Sequence, residues 1–371
     1  MAIPTRYAPR RAHVPYWWLL ATAVAAFIAI GPIAAALFVS LGGGSVTETA
    51  FASAPAGTYA VVVRAEADAD VVMVVAAHGD SDASEIARVP RLPGYTAYGA
   101  VSPDGLRAAL VTADGGTPAH PVASLVIVEM ETGEVSRVAE TVDYLQSPVW
   151  SNDGRTVVVT RSSGDGPATD VDLVRVNADG SGEQVFAEAH AVLGAYPVGF
   201  DAQDRFVHVV VGGQGSIVYR DGAQVAALAA GITRDWQLSP DGSTLAYVET
   251  ATAAGVQYFP RTTALEAGNS RSFSMSSAET ESLGVAWKPG ADEPTFGREP
   301  GGSAADGARA LSAAGFDVPL AYSGDGRMFA VQHWTGVSFD EPGNAALELV
   351  GADGARTSLD GFARFYGWAT R

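Results

Sequence analysis

The stretch LSPDGSTLAYVE at residues 238–249 places Ser-Pro-Asp-Gly between an apolar residue and a run of strand-forming residues. In such a turn the Ser hydroxyl accepts a backbone hydrogen bond, Pro presets φ, and Asp and Gly suit the last two positions. The stretch therefore predicts a β-hairpin turn, whose Ser and Asp are interpreted as turn-forming and not as catalytic. Three related copies are VSPDGLRAALV (101–111), WSNDGRTVVVT (150–160) and YSGDGRMFAVQ (322–332).

The spacing of these turns indicates a repeat. A large apolar residue precedes each turn, and DAQDR, KPGAD and the final FARFYGWATR carry the same apolar position 35–50 residues from its neighbours, a period typical of repeat architectures. Residues 147–188 contain four strand-like runs separated by turns, without a helical period. Repeated four-stranded units predict an all-β chain folded as a β-propeller. The seven apolar positions are Val101, Trp150, Phe200, Leu238, Trp287, Tyr322 and Trp368.

The repeat resembles that of TolB-like propellers, relatives of the WD repeat. The copy SPVWSNDGRTVVVT followed by DLVRVNADGSGEQVF carries the resemblance best, and the likeness extends over roughly residues 58–371. It implies a disc in which the strand ending at the apolar position is innermost. The Trp-Asp dipeptide of WD repeats and the Asp-box of sialidases are absent from the sequence, which sets both of those families apart.

Seven four-stranded blades are predicted, with six as the alternative that is commoner in TolB-like domains. The chain ends just after Trp368, so the last inner strand lacks three partners. Three strand-like runs at the other end, 58–66, 69–77 and 84–92, supply them. Pairing of the two ends closes the ring and removes exposed sheet edges.

The N-terminus predicts a membrane anchor. Residues 17–41 contain no charge and exceed the roughly 20 residues that a membrane-spanning helix needs. Arg6, Arg10 and Arg11 precede this run, so residues 1–16 are predicted to be a cytoplasmic tail, with the C-terminal body outside the cytoplasm. Residues 42–57 are predicted to be a flexible linker and 58–371 the propeller. A cleaved signal peptide, with a site near residues 50–52, is the alternative.

Composition excludes several classes of function. The net charge is −18 and Lys288 is the only lysine, so the surface repels nucleic acid. The chain has no cysteine, which excludes disulfides, thiolate metal sites and a Cys nucleophile. Phosphate-binding, zinc-protease and serine-hydrolase motifs are absent. The six histidines do not share ligand spacing; His208 is predicted to be structural, as are Trp150, Trp287 and Trp368.

Candidate binding residues come from the loops between second and third strands, at 112–121, 162–170, 297–307 and 335–343. These loops are predicted to share the face of the disc opposite the Ser-Pro-Asp-Gly turns, and loops on a rigid scaffold often carry recognition. Their acids have the oxygen ligands that Ca²⁺ prefers, although no EF-hand spacing occurs and no cofactor is predicted. The candidates are Asp165, Asp170, Arg298, Trp334, Asp340 and Glu341.

Two functions from different classes fit these observations. The first is a non-enzymatic, membrane-anchored scaffold that binds a protein or an envelope component, without an obligate oligomer. The second is an enzyme, or a binder of a small ligand or glycan, that uses the central pocket. A dry, narrow channel favours the first, and a wide polar funnel with paired carboxylates favours the second.

Overall fold

The computed structural model describes residues 51–371 apart from 79–82, 118–119, 164–168, 214, 229–231, 252–256, 267–269, 273–281 and 299–313. All regular structure in these residues is β-strand, arranged as a propeller. The predicted membrane helix at 17–41 lies outside the described residues. The described part of the chain contains no helix able to cross a bilayer.

The described strands, numbered in chain order, form six four-stranded blades and one two-stranded sheet. Each blade is given from its innermost to its outermost strand. Blade 1 contains β26 (Arg364–Thr370), β1 (Thr58–Ala65), β2 (Ala69–Ala76) and β3 (Ser84–Pro90). Blade 2 contains β4 (Tyr98–Val101), β5 (Arg107–Thr117), β6 (His120–Glu129) and β7 (Val135–Val142). Blade 3 contains β8 (Val149–Trp150), β9 (Thr156–Ser163), β10 (Thr169–Asn177) and β11 (Gln184–Val192).

The second half of the chain continues this order. Blade 4 contains β12 (Gly194–Phe200), β13 (Phe206–Gly212), β14 (Gly215–Arg220) and β15 (Ala223–Ala227). Blade 5 contains β16 (Ile232–Leu238), β17 (Thr244–Ala251), β18 (Gln257–Ala264) and β19 (Ser270–Ser272). The two-stranded sheet pairs β20 (Ser282–Ala286) with β21 (Thr295–Arg298). Blade 6 contains β22 (Phe316–Tyr322), β23 (Met328–Trp334), β24 (Ala345–Gly351) and β25 (Arg356–Ser358).

Seven four-stranded blades are therefore not confirmed. Between blades 5 and 6 the described residues contain only β20 and β21, because the segments on either side, 273–281 and 299–313, are not described. Six complete blades correspond to the alternative count.

The two ends of the chain join in blade 1. Strand β26 pairs antiparallel with β1, so that Thr58 lies opposite Thr370 and Ala60 opposite Trp368. The backbones of Gly57 and Arg371 exchange two hydrogen bonds of 2.9 and 3.0 Å next to this pair. Phe51, inside the segment predicted as a linker, belongs to the packed body, since its side chain is buried against Tyr59.

The core lies between blades. Middle strands such as β1, TYAVVVRA, are nearly continuous in apolar residues because neighbouring blades cover both of their faces. One apolar cluster joins blades 6 and 1 through side chains that include Val62, Met73, Ala330 and Leu349. Smaller clusters join the two-stranded sheet to blade 5 on one side and to blade 6 on the other.

Three tryptophans at the ends of inner strands each tie their sheet to the blade before it. Trp150 Nε1 donates to the Ala100 carbonyl at 2.9 Å, and Trp368 Nε1 donates to the Ala321 carbonyl at 3.2 Å. Trp287 makes the equivalent bond from the two-stranded sheet to blade 5 at 3.3 Å. The prediction that these residues are structural is confirmed.

The disc has two faces. We call the face with the turns after the inner strands, at 102–106, 151–155, 239–243 and 323–327, the turn face. We call the opposite face, where the inner strands begin and the second and third strands of each blade connect, the loop face. The antiparallel pairing within each blade confirms the predicted separation of turns from loops.

Candidate functional site

The inner strands surround a cavity of about 1240 Å³. Its lining comes from β4, β8, β12 and β16 and from the residues beside them. Tyr98 and Ile232 line it at the loop face, whereas Pro103 and Pro240 line it at the turn face. The cavity therefore runs along the propeller channel.

Aromatic and amide side chains are prominent in the lining of this channel. Tyr196 and Trp236 pack with their ring centroids 4.7 Å apart, and Gln146 and Asn152 also line the cavity. Burial raises the pKa of Tyr196, so its phenol stays protonated at neutral pH and can donate a hydrogen bond.

An exposed apolar rim surrounds part of the channel mouth at the loop face. It is formed by Leu145, Leu193 and Ile232, whose exposures are 72%, 51% and 55%, and of these Leu145 and Ile232 line the cavity itself. Each lies at or just before the inner strand of its blade, in the consecutive blades 3, 4 and 5. Large apolar side chains that cluster on a surface mark interaction sites more often than scattered ones do.

A charged pair lies in the channel wall at blade 5. Strand β16 has a register irregularity between Arg234 and Gln237, and Asp235 within it has a φ of 55°. The Asp235 carboxylate accepts hydrogen bonds from Arg234 Nε at 3.1 Å and from the Gly284 backbone N–H at 2.9 Å. Asp235 therefore ties blade 5 to the two-stranded sheet and holds Arg234 at the mouth.

The loop at 335–343 extends from blade 6 toward the same mouth. The Phe339 ring lies 5.0 Å from Phe316 and 6.1 Å from Tyr258 of blade 5. Tyr258 lines the channel, and the Arg234 guanidinium lies 6.0 Å from its ring. This aromatic contact brings a predicted recognition loop next to the charged pair.

The six candidate binding residues predicted from the sequence do not lie at one site in the structure. Trp334 packs against Phe316, with ring centroids 6.3 Å apart, and Asp340 and Glu341 are exposed on the loop beside it. Arg298 is buried at the end of β21, and Asp170 is exposed on blade 3 with its carboxylate 3.5 Å from His190. Asp165 lies outside the described residues.

Three of the six candidates therefore lie together beside the channel mouth. Sequence reasoning missed Arg234, Asp235 and Tyr258, which contribute to the mouth itself. A signal was available for the first two, since both precede the apolar position Leu238 within one inner strand.

The described channel wall is neither a dry, narrow channel nor a wide polar funnel with paired carboxylates. It is wide, yet Asp235 is the only carboxylate among the residues that line this cavity. Among the described residues no three acidic or histidine side chains form a cluster able to hold a metal ion. The acids proposed for Ca²⁺ are divided between blades 3 and 6 as far as they are described.

Comparison with known proteins identifies the fold. No known protein family and no curated protein matches the sequence. The solved structure of TolB from Acinetobacter baumannii is similar, with a TM-score of 0.50 and 13% identity over 84% of this chain and 65% of that one. The fold is a β-propeller, which this chain shares with TolB. This chain thus spans less than two thirds of that TolB structure.

Other solved structures with this fold are enzymes. The periplasmic gluconolactonase of Pseudomonas aeruginosa has a TM-score of 0.55 and 15% identity over 85% of this chain and 100% of that one. A prolyl endopeptidase has a TM-score of 0.53 and 10% identity over 84% of this chain and 50% of that one.

The prediction that the chain is not an enzyme is therefore wrong. It rested on the absence of sequence motifs, whereas propellers assemble their sites from several blades and include enzymes. Identities this low establish the shared fold alone.

Proposed function

We propose that this chain is a membrane-anchored, extracytoplasmic propeller that binds a protein or an envelope component at the channel mouth of its loop face. The observation that carries the proposal is the exposed apolar rim of Leu145, Leu193 and Ile232, of which Leu145 and Ile232 line the open cavity. Burying such side chains against a partner contributes roughly 25 cal/mol per Å² of apolar surface.

The position of the start of β1 supports this orientation. Strand β1 begins opposite the end of β26, at the turn face, so the chain enters the propeller there. The nine residues 42–50, between the proposed membrane helix and Phe51, span at most about 30 Å. An anchor attached there holds the turn face near the membrane and directs the loop face outward.

Photo-crosslinking from the two faces tests the proposal. A benzophenone amino acid at Ile232, on the rim, is expected to give discrete adducts in the native cells. The matched control is Leu106, which is 42% exposed on the turn face and is expected to give none. The same adducts from Leu106, or none from any rim position, would contradict the proposal.

A second candidate, a small-ligand or glycan binder or an enzyme acting on such a ligand, is favoured by the size of the cavity. Ligand pockets commonly measure about 300–1000 Å³. A small ligand is enclosed by the channel wall, whereas a protein partner contacts the rim. Binding lost on Trp236→Ala but retained on Ile232→Ser supports the small ligand, and the reverse pattern supports the protein partner.

We also propose that β20 and β21 are the inner half of a seventh blade. Trp287 bonds to the preceding blade as Trp150 and Trp368 do. The Gly326 turn of blade 6 packs on Lys288 and Pro289. A density map of residues 267–313 with two more strands paired outside β21 would support seven blades, and any other course of the chain would contradict them.

A further inference from the structure

Arg364 begins β26, the strand that closes the ring, and its side chain lies in the channel wall. Together with Tyr98, Ser147 and Gln332 it lines a side cavity of about 140 Å³. Tyr98 and Ser147 also line the larger channel cavity. The side cavity is therefore a recess of the channel.

The guanidinium of Arg364 is fixed by an aromatic ring, and no carboxylate among the described residues forms an ion pair with it. Its Cζ lies 3.8 Å from the centre of the Tyr98 ring, a distance typical of a cation–π contact. Its Nε is buried and has no hydrogen-bond partner among the described residues. Buried carboxylates such as those of Asp70 and Asp317 form ion pairs with other arginines. Arginine stays protonated at all physiological pH values, so this charge is permanent.

The Asp70 carboxylate attracts Arg364 electrostatically but is engaged elsewhere. Its oxygens accept hydrogen bonds from Arg91 Nε at 2.7 Å and from the Ala97 backbone N–H at 2.6 Å. Asp70 is fully buried. It balances part of the charge of Arg364 without satisfying its N–H groups.

Several other arginines of this acidic chain are paired with carboxylates, whereas Arg175, like Arg364, has a buried Nε without a partner among the described residues. Arg88 binds Glu66, Arg205 binds Asp201 and Arg261 binds Glu249 through side-chain nitrogens and oxygens 2.6–2.8 Å apart. With 41 acidic against 23 basic residues, carboxylates are plentiful. A channel-lining guanidinium without one is an open donor for an external anion.

We propose that Arg364 anchors a carboxylate-binding subsite in the channel. The planar guanidinium matches a carboxylate through two parallel N–H bonds, and the Tyr98 ring covers one of its faces and so fixes its plane. Gln332 and Ser147 supply further polar groups in the recess. Leu320, Leu347 and Phe365 are among its other lining residues, so the preferred ligand carries an apolar group beside the carboxylate. The inference deepens the proposed function, since it assigns a chemistry to what enters the channel.

Arginine side-chain NMR on the full chain in detergent micelles tests the subsite. The Nε–H resonance of Arg364 is assigned by its loss in Arg364→Lys, and acetate is titrated at constant sodium concentration balanced with chloride. A saturable shift with a dissociation constant in the millimolar range is expected for acetate and none for acetamide, its neutral analogue. Arg155, exposed on the turn face, is the internal control and should show no saturable shift.

Two carboxylates then test the apolar lining. N-acetylphenylalanine is expected to bind at least tenfold more tightly than galacturonate, and Tyr98→Leu is expected to weaken both. An Arg364 resonance that follows that of Arg155, or that responds equally to acetamide, would overturn the subsite. Tighter binding of galacturonate would overturn the apolar preference.

The outcome is separable from that of the proposed function. Adducts from Ile232 without a carboxylate response at Arg364 would leave the partner-binding mouth and remove the subsite. A carboxylate response without adducts would do the opposite.

Discussion

His208 shows what burial does to a single side chain in this propeller. It lies on β13 of blade 4, where it is 4% exposed, between the rings of Phe206 and Tyr219. The three rings are nearly parallel, with centroids 5.6 and 5.3 Å from that of His208. The sequence-based interpretation of His208 as structural is confirmed.

Burial lowers the pKa of His208 to about 4, so the stability of blade 4 should depend on pH. Above about pH 6.5 both the folded and the unfolded chain hold a neutral imidazole. As the pH falls toward 4, the unfolded chain binds the proton first, and the free energy of unfolding falls by up to about 3 kcal/mol. Urea unfolding between pH 7 and 4.5 measures this loss.

His208→Phe is the matched variant, because it keeps an aromatic ring between its two neighbours and removes the titration. It is expected to show a smaller loss of stability over the same pH range. Equal losses in the wild type and the variant would mean that His208 does not titrate as its burial predicts.

The Ser-Pro-Asp-Gly turns both connect strands within a blade and contact the preceding blade. Within the turn, Ser239 Oγ donates to Asp241 at 2.5 Å, and the Ser243 and Thr244 N–H groups donate to Asp241 and Ser239. The bond from Ser239 holds the pKa of the Asp241 carboxyl below its usual range. These bonds confirm the interpretation of Ser and Asp as turn-forming.

Between blades, the glycine of each turn contacts the preceding blade. Gly242 has a φ of 70°, and a Cβ added to it would lie 2.4 Å from Asp201 Cβ and 2.6 Å from Asp201 Cα. Gly222 has a φ of 77°, but a Cβ there would have no neighbour within 4 Å. A side chain at either position would strain the backbone, but only a side chain at Gly242 would also clash with the preceding blade.

Gly242→Ala is expected to destabilise the propeller by more than Gly222→Ala. Both substitutions carry the cost of a left-handed residue, about 1–3 kcal/mol. Gly242→Ala adds a clash with backbone atoms, for which overpacking typically costs another 1–3 kcal/mol. Thermal or urea unfolding of the two variants measures the difference, and equal effects would show that the turn does not bear on its neighbour.

The turns and the strands they bound could be predicted from the sequence because each is a local pattern. The channel lining could not, because it depends on which residues of the inner strands face the axis. Those strands are irregular: β16 shifts register between Arg234 and Gln237, and β12 between Pro197 and Gly199. Simple alternation of apolar and polar residues therefore fails where the site is built. Arg364 and Tyr98 also lie far apart in the sequence, and ring closure alone brings them together.

At the scale of the whole molecule, ring closure makes both the scaffold and the site. Strand β26 supplies the inner edge of blade 1, and its side chains Arg364 and Phe365 line the recess of the channel. Without the pairing of β26 with β1, both strands would expose unpaired backbone in blade 1, and the channel would lose part of its wall. The two ends of the chain thus close both the ring and the channel.

A disulfide across the closing strands tests whether β26 pairs with β1. Since Gly57 and Arg371 exchange two hydrogen bonds, the adjacent Thr58 and Thr370 form a non-hydrogen-bonded pair, whose Cα atoms lie about 4.5 Å apart in such ladders. That separation lies within the range of natural disulfides. The chain has no cysteine of its own, so Thr58→Cys with Thr370→Cys introduces the only two thiols.

Mild oxidation of the folded double variant is expected to give a nearly complete disulfide, seen as faster migration on a non-reducing denaturing gel. The control pairs Thr58→Cys with Thr357→Cys, which lies on the outer strand of blade 6 and should remain unlinked. A Thr58/Thr370 pair that oxidises no further than the control would contradict closure of the ring by β26.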